Sequence, residues 1–205
     1  MRSYNIPLAI LLVVMLATSG CVAPKKDLTD LKEDKEEQIN LPSKLNLIAS
    51  TPDRDIDRSQ EFDILVDANG SNTLILWVST GCSGCHDWTE MIAESMRNGS
   101  ISNDTRIITI HRYPAFESQE EVIDVYATNN STTNSLWPVL MPVDKQPAID
   151  VEKGVETDYD YTKAFDNPAT PSFTILDGEG KTIWKNKTYW ANQTVLEDAL
   201  EKLNS

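Results

Sequence analysis

The chain is poor in cysteine, with 3 in 205 residues. That is too few for a disulfide scaffold and too few for a four-thiolate zinc site, so each cysteine needs its own explanation. Glycine is sparse as well, at 8 against 10 Pro, and no internal repeat is visible. Cationic side chains are in the minority, 18 Lys+Arg against 32 Asp+Glu, for a net charge of -14. Such a surface repels phosphate backbones and anionic headgroups, which makes nucleic acid a poor partner. The longest apolar run, Ile6 to Ala17, is about a dozen residues where a membrane-spanning helix needs roughly 20. Aromatic side chains are not lacking. The 5 Trp, 6 Tyr and 4 Phe supply the core of one packed domain and exclude a wholly disordered chain.

The N-terminus has the order of an export signal: Arg2, the apolar run, then the small residues Thr18-Ser19-Gly20 before Cys21. This end resembles the lipobox of prokaryotic lipoproteins, with Thr18 where leucine is usual. The resemblance implies cleavage after residue 20, lipidation of Cys21 and a place on the extracytoplasmic face of the cell membrane. An uncleaved anchor and a plain signal are the alternatives, and both also put the body outside the cytoplasm. Residues 21–45 are charged and nearly free of aromatics, as expected of a solvated tether. Asn-x-Ser/Thr sequons begin at Asn69, Asn98, Asn103, Asn129, Asn130, Asn186 and Asn192. That is about three times the chance number, and it marks these asparagines as candidate glycosylation sites.

Phe62–Val66 and the continuous apolar run Thr73–Ser79 read as strands, the second a central one. Asp87–Arg97 has helical spacing, with Asn98-Gly99 as its stop. Arg106–Ile110 is a β-branched strand, and Ser118-Gln-Glu-Glu121 is a capping box opening a helix to about Ala127. Ser172–Leu176, the turn Asp177–Gly180 and Lys181–Trp184 form a hairpin, and Thr194-Val-Leu-Glu197 caps a last helix to Leu203. This order predicts an α/β fold with a mixed sheet and helices on both faces.

Cys82-Ser83-Gly84-Cys85 lies where the apolar strand ends and a helix begins. A thiol on the first helical turn faces unpaired N–H groups and the positive end of the helix dipole, which stabilise its thiolate. Cys82 is then the attacking sulfur and Cys85 the resolving one. Thr170-Pro171 directly precedes a strand and fits a cis peptide there. With these elements in place, residues 62–203 resemble the thioredoxin superfamily. The segment from Tyr113 to Pro168 resembles the insertion, before the cis-proline strand, of membrane-anchored TlpA-like and ResA-like thiol:disulfide oxidoreductases. The resemblance implies a thioredoxin-like domain over 46–205, a redox-active Cys82–Cys85 disulfide and a substrate-binding loop at Thr170 and Pro171. It implies no cofactor and no metal, a monomer, and partners that are protein thiols or disulfides of the cell envelope together with an envelope redox partner. Two departures stand out. Leu76 occupies the place of thioredoxin's buried Asp, and Ser83-Gly84 replaces the usual spacers, which leaves the direction of electron flow open.

Three rival readings use the same residues. Cys82-Ser-Gly-Cys85-His86 also matches c-type haem attachment, with Met91, Met96 or Met141 as distal ligand. Zinc or copper would draw on Cys82, Cys85, His86 and His111. A static disulfide in an envelope binding domain is the third. His111, at a strand end, is expected on the surface. The tryptophans are expected in the core or at its rim, with Trp88 or Trp137 as a candidate groove wall.

Overall fold

The computed structural model describes residues 40–205; the signal segment, Cys21 and most of the tether lie outside them. The strands are β1 (Leu45–Asn46), β2 (Ile48–Ser50), β3 (Glu61–Asp63), β4 (Thr73–Val78), β5 (Ile107–His111), β6 (Val139–Leu140), β7 (Pro147–Asp150), β8 (Val155–Asp160), β9 (Ser172–Leu176) and β10 (Thr182–Asn186). The helices are α1 (Ile64–Ala68), α2 (Ser83–Arg97), α3 (Gln119–Tyr126), α4 (Tyr161–Ala164) and α5 (Gln193–Leu203). Five strands make the central sheet in the order β10-β9-β4-β5-β6. Strand β4 runs parallel to β5 and antiparallel to β9, so the sheet is mixed.

The sheet is covered on both faces, which explains why β4 reads as one unbroken apolar run. Alternation along the strand divides it: Leu74, Leu76 and Val78 join a cluster with Trp88 and Ile92 of α2, Val122 and Tyr126 of α3, and Leu196 and Ala199 of α5. Ile75 and Trp77 point the other way, into Leu47, Phe62, Ile64, Tyr161 and Phe165. The three long helices thus share one face. The second face is closed by β1 to β3 and the short helices α1 and α4. Strand β1 also pairs with β7, and β7 with β8, in a separate three-stranded sheet. The Tyr113–Pro168 segment is therefore tied to the start of the domain.

Three local expectations change. The strand expected over Phe62–Val66 stops at Asp63, whose carboxylate accepts the N–H groups of Leu65 and Val66 and starts α1. Asp63 as N-cap outweighs the β-branched residues that follow it. The last helix is capped by Asn192, which accepts from Val195 N–H, two residues before the expected Thr194. His111 is buried, with 1% exposure. It is the last residue of β5, opposite Val78, and its ring is covered by its neighbours rather than by water.

Candidate redox site

The chain leaves β4 through Ser79-Thr80-Gly81 and enters α2 at Cys82, the N-cap residue. The Cys85 N–H donates to the Cys82 carbonyl at 2.9 Å and to Cys82 Sγ at 3.1 Å, so the sulfur shares a first-turn donor with the backbone. Cys82 and Cys85 are joined as a disulfide with an S–S distance of 2.20 Å. Cys85 is fully buried and Cys82 is 7% exposed, while Gly81 and Ser83 beside it are open to solvent. The outer sulfur is thus Cys82 and the inner one Cys85, as their places on the first turn require.

Thr170–Pro171 is a cis peptide bond. Strand β9 begins one residue later, and its register sets Ser172 opposite Trp77 near the end of β4. The cis peptide and the disulfide therefore lie at the same end of the sheet. A cavity of about 240 Å³ beside this loop is lined by Pro168, Ala169, Ser172, Phe173, Lys185 and Lys187. A larger cleft of about 450 Å³, with Arg58, Asp67, Arg106 and Trp137 in its wall, shares no residue with the disulfide. Both of its arginines are already paired with Asp67.

Two groups of contacts fix the surroundings of the motif. On one side, residues 188–191 are strapped across the first turns of α2. Trp88 Nε1–H donates to the Thr188 carbonyl at 2.8 Å, and Asp87 accepts the Ala191 N–H at 2.7 Å. Gly84 lies under the Tyr189 backbone so closely that a Cβ there would stand 2.3 Å from the Tyr189 carbonyl oxygen. The strap leaves Tyr189 and Trp190 exposed next to the motif, their rings edge to face at 4.8 Å.

On the other side, the link from β4 to α2 is held by side chains. Tyr126 O–H donates to the Ser79 carbonyl at 2.7 Å, and burial raises the pKa of that hydroxyl. His86 Nε2 lies 2.7 Å from the Thr80 carbonyl, which can only accept, so this nitrogen carries a proton. Glu117 accepts the Thr80 N–H at 2.9 Å and lies 2.7 Å from His111 Nε2. Burial lowers the His111 pKa and the Glu117 carboxylate opposes that shift. Glu117, Gly84 and the 188–191 strap had no signal in the sequence, because each acts through a contact that is distant along the chain.

Several of the ligand atoms that haem or a metal would draw on are engaged elsewhere. His86 Nε2 meets Thr80 and His111 Nε2 meets Glu117, while Met96 and Met141 are buried in the core. Among the described residues no three His, Cys, Asp or Glu side chains gather as a metal site, and no helix is long and apolar enough to cross a membrane. Trp88 is buried and lines no groove, while Trp137, also buried, lies in the wall of the larger cleft, which shares no residue with the disulfide. Trp137 donates to Thr109 Oγ1 at 2.9 Å. Six sequon asparagines are exposed and Asn186 is half-buried.

No family model and no curated protein matches the chain by sequence. Solved structures do. The thioredoxin domain of a thiol-disulfide oxidoreductase from Bacteroides vulgatus aligns with a TM-score of 0.51 at 15% identity, covering 80% of this chain and 98% of that one. A thiol:disulfide interchange protein from Bacteroides sp. aligns at 0.51 and 14% identity, over 80% and 91% of the two chains. The exposed lipoprotein thioredoxin Etrx1 of Streptococcus pneumoniae aligns at 0.50 and 13% identity, over 77% and 98%. The chain has the thioredoxin-like fold, a central mixed sheet flanked by helices.

Proposed function

We propose that this protein is an extracytoplasmic thiol:disulfide oxidoreductase that exchanges disulfides with protein thiols through Cys82 and Cys85. The observation that carries the reading is the placement of Cys82 as N-cap of α2, with its sulfur on the Cys85 N–H, at the sheet end that also holds the cis Thr170–Pro171 peptide. In the reducing direction the Cys82 thiolate attacks one sulfur of a partner disulfide and the other leaves as a thiolate. The Cys85 thiolate then attacks Cys82 Sγ, which releases the partner's second thiol and closes the Cys82–Cys85 bond. Two electrons pass to the partner, and the reverse sequence oxidises a dithiol. Thr170 and Pro171 are the proposed backbone surface for the partner's chain.

Lipidation at Cys21, a charged tether ahead of the 46–205 domain, a monomeric state and glycans at the seven sequons complete the reading. The exposure of six of those asparagines supports the glycans. Mass spectrometry of the native protein reads both the N-terminus at Cys21 and the glycans.

The test is trapping on a non-reducing gel in the protein's own host. Cys85→Ser accumulates mixed disulfides with envelope proteins, because the captured partner cannot be expelled, whereas Cys82→Ser traps few. Equal absence of adducts in both variants would leave a binding domain with a static disulfide as the better account.

A further inference from the structure

The β4-to-α2 link is held at both ends of one residue by ionisable side chains from different elements. Thr80 gives its N–H to Glu117, from the loop after β5, and its carbonyl receives His86 Nε2 from the first turn of α2. Glu117 stands one residue before the N-cap Ser118 of α3 and is braced by His111, which is buried at the end of β5. The His111 carbonyl in turn accepts the Tyr161 hydroxyl at 2.7 Å. At Gly81, between Thr80 and Cys82, a Cβ would meet nothing within 4 Å beyond the neighbouring residues, so the link has no side-chain packing there. Only the weaker bond from the Cys82 N–H to the Ser79 carbonyl, at 3.3 Å, is made by the link itself. From the helix side Cys82 is held by its carbonyl, which accepts the Cys85 N–H at 2.9 Å and the His86 N–H at 3.1 Å; from the strand side the link sets how it enters the N-cap position.

We infer that Glu117, braced by His111, is a positioning residue for Cys82: its hydrogen bond to the Thr80 N–H keeps the attacking sulfur on the N-terminus of α2. An acid thus serves the motif from a second element, in a chain that has Leu76 where thioredoxin has its buried Asp. The role assigned to it is a bond to the backbone, since its Oε2 accepts the Thr80 N–H and meets His111 Nε2.

Two substitutions separate that bond from the charge. Glu117→Gln keeps a carbonyl oxygen that can accept the Thr80 N–H and loses the charge. Glu117→Asp keeps the charge and shortens the reach by one methylene. Glu117→Ala loses both. The readout is the pH profile of iodoacetamide labelling of Cys82 in the reduced full-length chain, followed peptide by peptide by mass spectrometry.

The expected result is a Cys82 pKa raised by roughly half a unit or more in the Ala and Asp variants, with labelling near pH 6.5 slowed roughly threefold. Glu117→Gln stays close to wild type. An unmoved profile in Glu117→Ala overturns the inference, and so does Glu117→Gln falling as far as Glu117→Ala. Should Glu117→Ala fail to fold, the contrast between Asp and Gln decides alone. The consequence for catalysis rests on the exchange reading above, yet the labelling profile does not. A wild-type protein that labels normally but catalyses no exchange would refute that reading and leave this inference standing or falling on its own variants.

Discussion

Gly84→Ala is the sharpest structural test of how the motif is walled. Two effects oppose each other. Alanine is favoured over glycine within a helix by about 1 kcal/mol, and somewhat less at the second position of α2, where the backbone is only half committed. Against this, the new Cβ would lie 2.3 Å from the Tyr189 carbonyl oxygen and 3.1 Å from its carbonyl carbon, both backbone atoms. Relief requires either a backbone shift, typically about 1–3 kcal/mol, or lifting of the 188–191 strap. Lifting breaks the Trp88 to Thr188 and Asp87 to Ala191 hydrogen bonds, at about 1 kcal/mol each. Set against the helix gain, the clash wins by roughly 0.5–2 kcal/mol, which for a domain of this size lowers Tm by about 1–8 °C. Thermal unfolding of the oxidised protein followed by far-UV circular dichroism measures it, and the near-UV signal of Trp88 reports whether the strap has lifted. A Tm equal to or above that of wild type would refute the close approach of Tyr189 to the motif.

Two further outcomes follow from buried charges. Asp57 is fully buried, holds the Arg54 guanidinium through two hydrogen bonds and accepts the Arg54 and Val139 N–H groups, so Asp57→Asn leaves a largely buried guanidinium without its counter-charge. The expected loss is about 3–5 kcal/mol in urea unfolding, and a loss below about 1 kcal/mol would contradict it. The pKa of His111 is lowered in the folded state, so as pH falls the unfolded chain takes the proton first. The corresponding stability is whole above about 6.5, the unfolded value, and is lost as pH falls through the lowered folded value. The urea midpoint should therefore drop more between pH 7.5 and 5.5 for wild type than for His111→Gln, and equal drops would count against the burial of that ring.

Much of the fold could be read from local pattern. The unbroken run at Thr73–Val78 means a strand covered on both faces, and it is the centre of the sheet. The Ser118 capping box forms as written, with Ser118 and Glu121 bonding to each other's backbone N–H groups. Cys82 at a helix start and a cis bond at Thr170–Pro171 were both legible, because N-cap chemistry and a proline ahead of a strand are local signals. What escaped is what distant contacts decide. Strand β8, Val-Glu-Thr-Asp-Tyr-Asp, alternates Val155, Thr157 and Tyr159 with three acids but buries none of them fully, and its pairing with β7 is what holds it. At the end of β5, nothing near His111 in the sequence tells that Glu117 and Tyr161 will cover it. Five residues of loop separate the histidine from its carboxylate, and no periodicity spans such a gap.

The central claim is that the Cys82–Cys85 bond is made and broken in service rather than kept. Its reduction potential, measured by equilibrating the purified protein with glutathione buffers and counting free thiols at Cys82 and Cys85, tests that claim most directly. The account predicts a value in the range of exchange proteins, between roughly -120 and -270 mV, with the lower end marking a reductant and the upper end an oxidant. A value below roughly -300 mV, where structural disulfides of exported proteins lie, would contradict it.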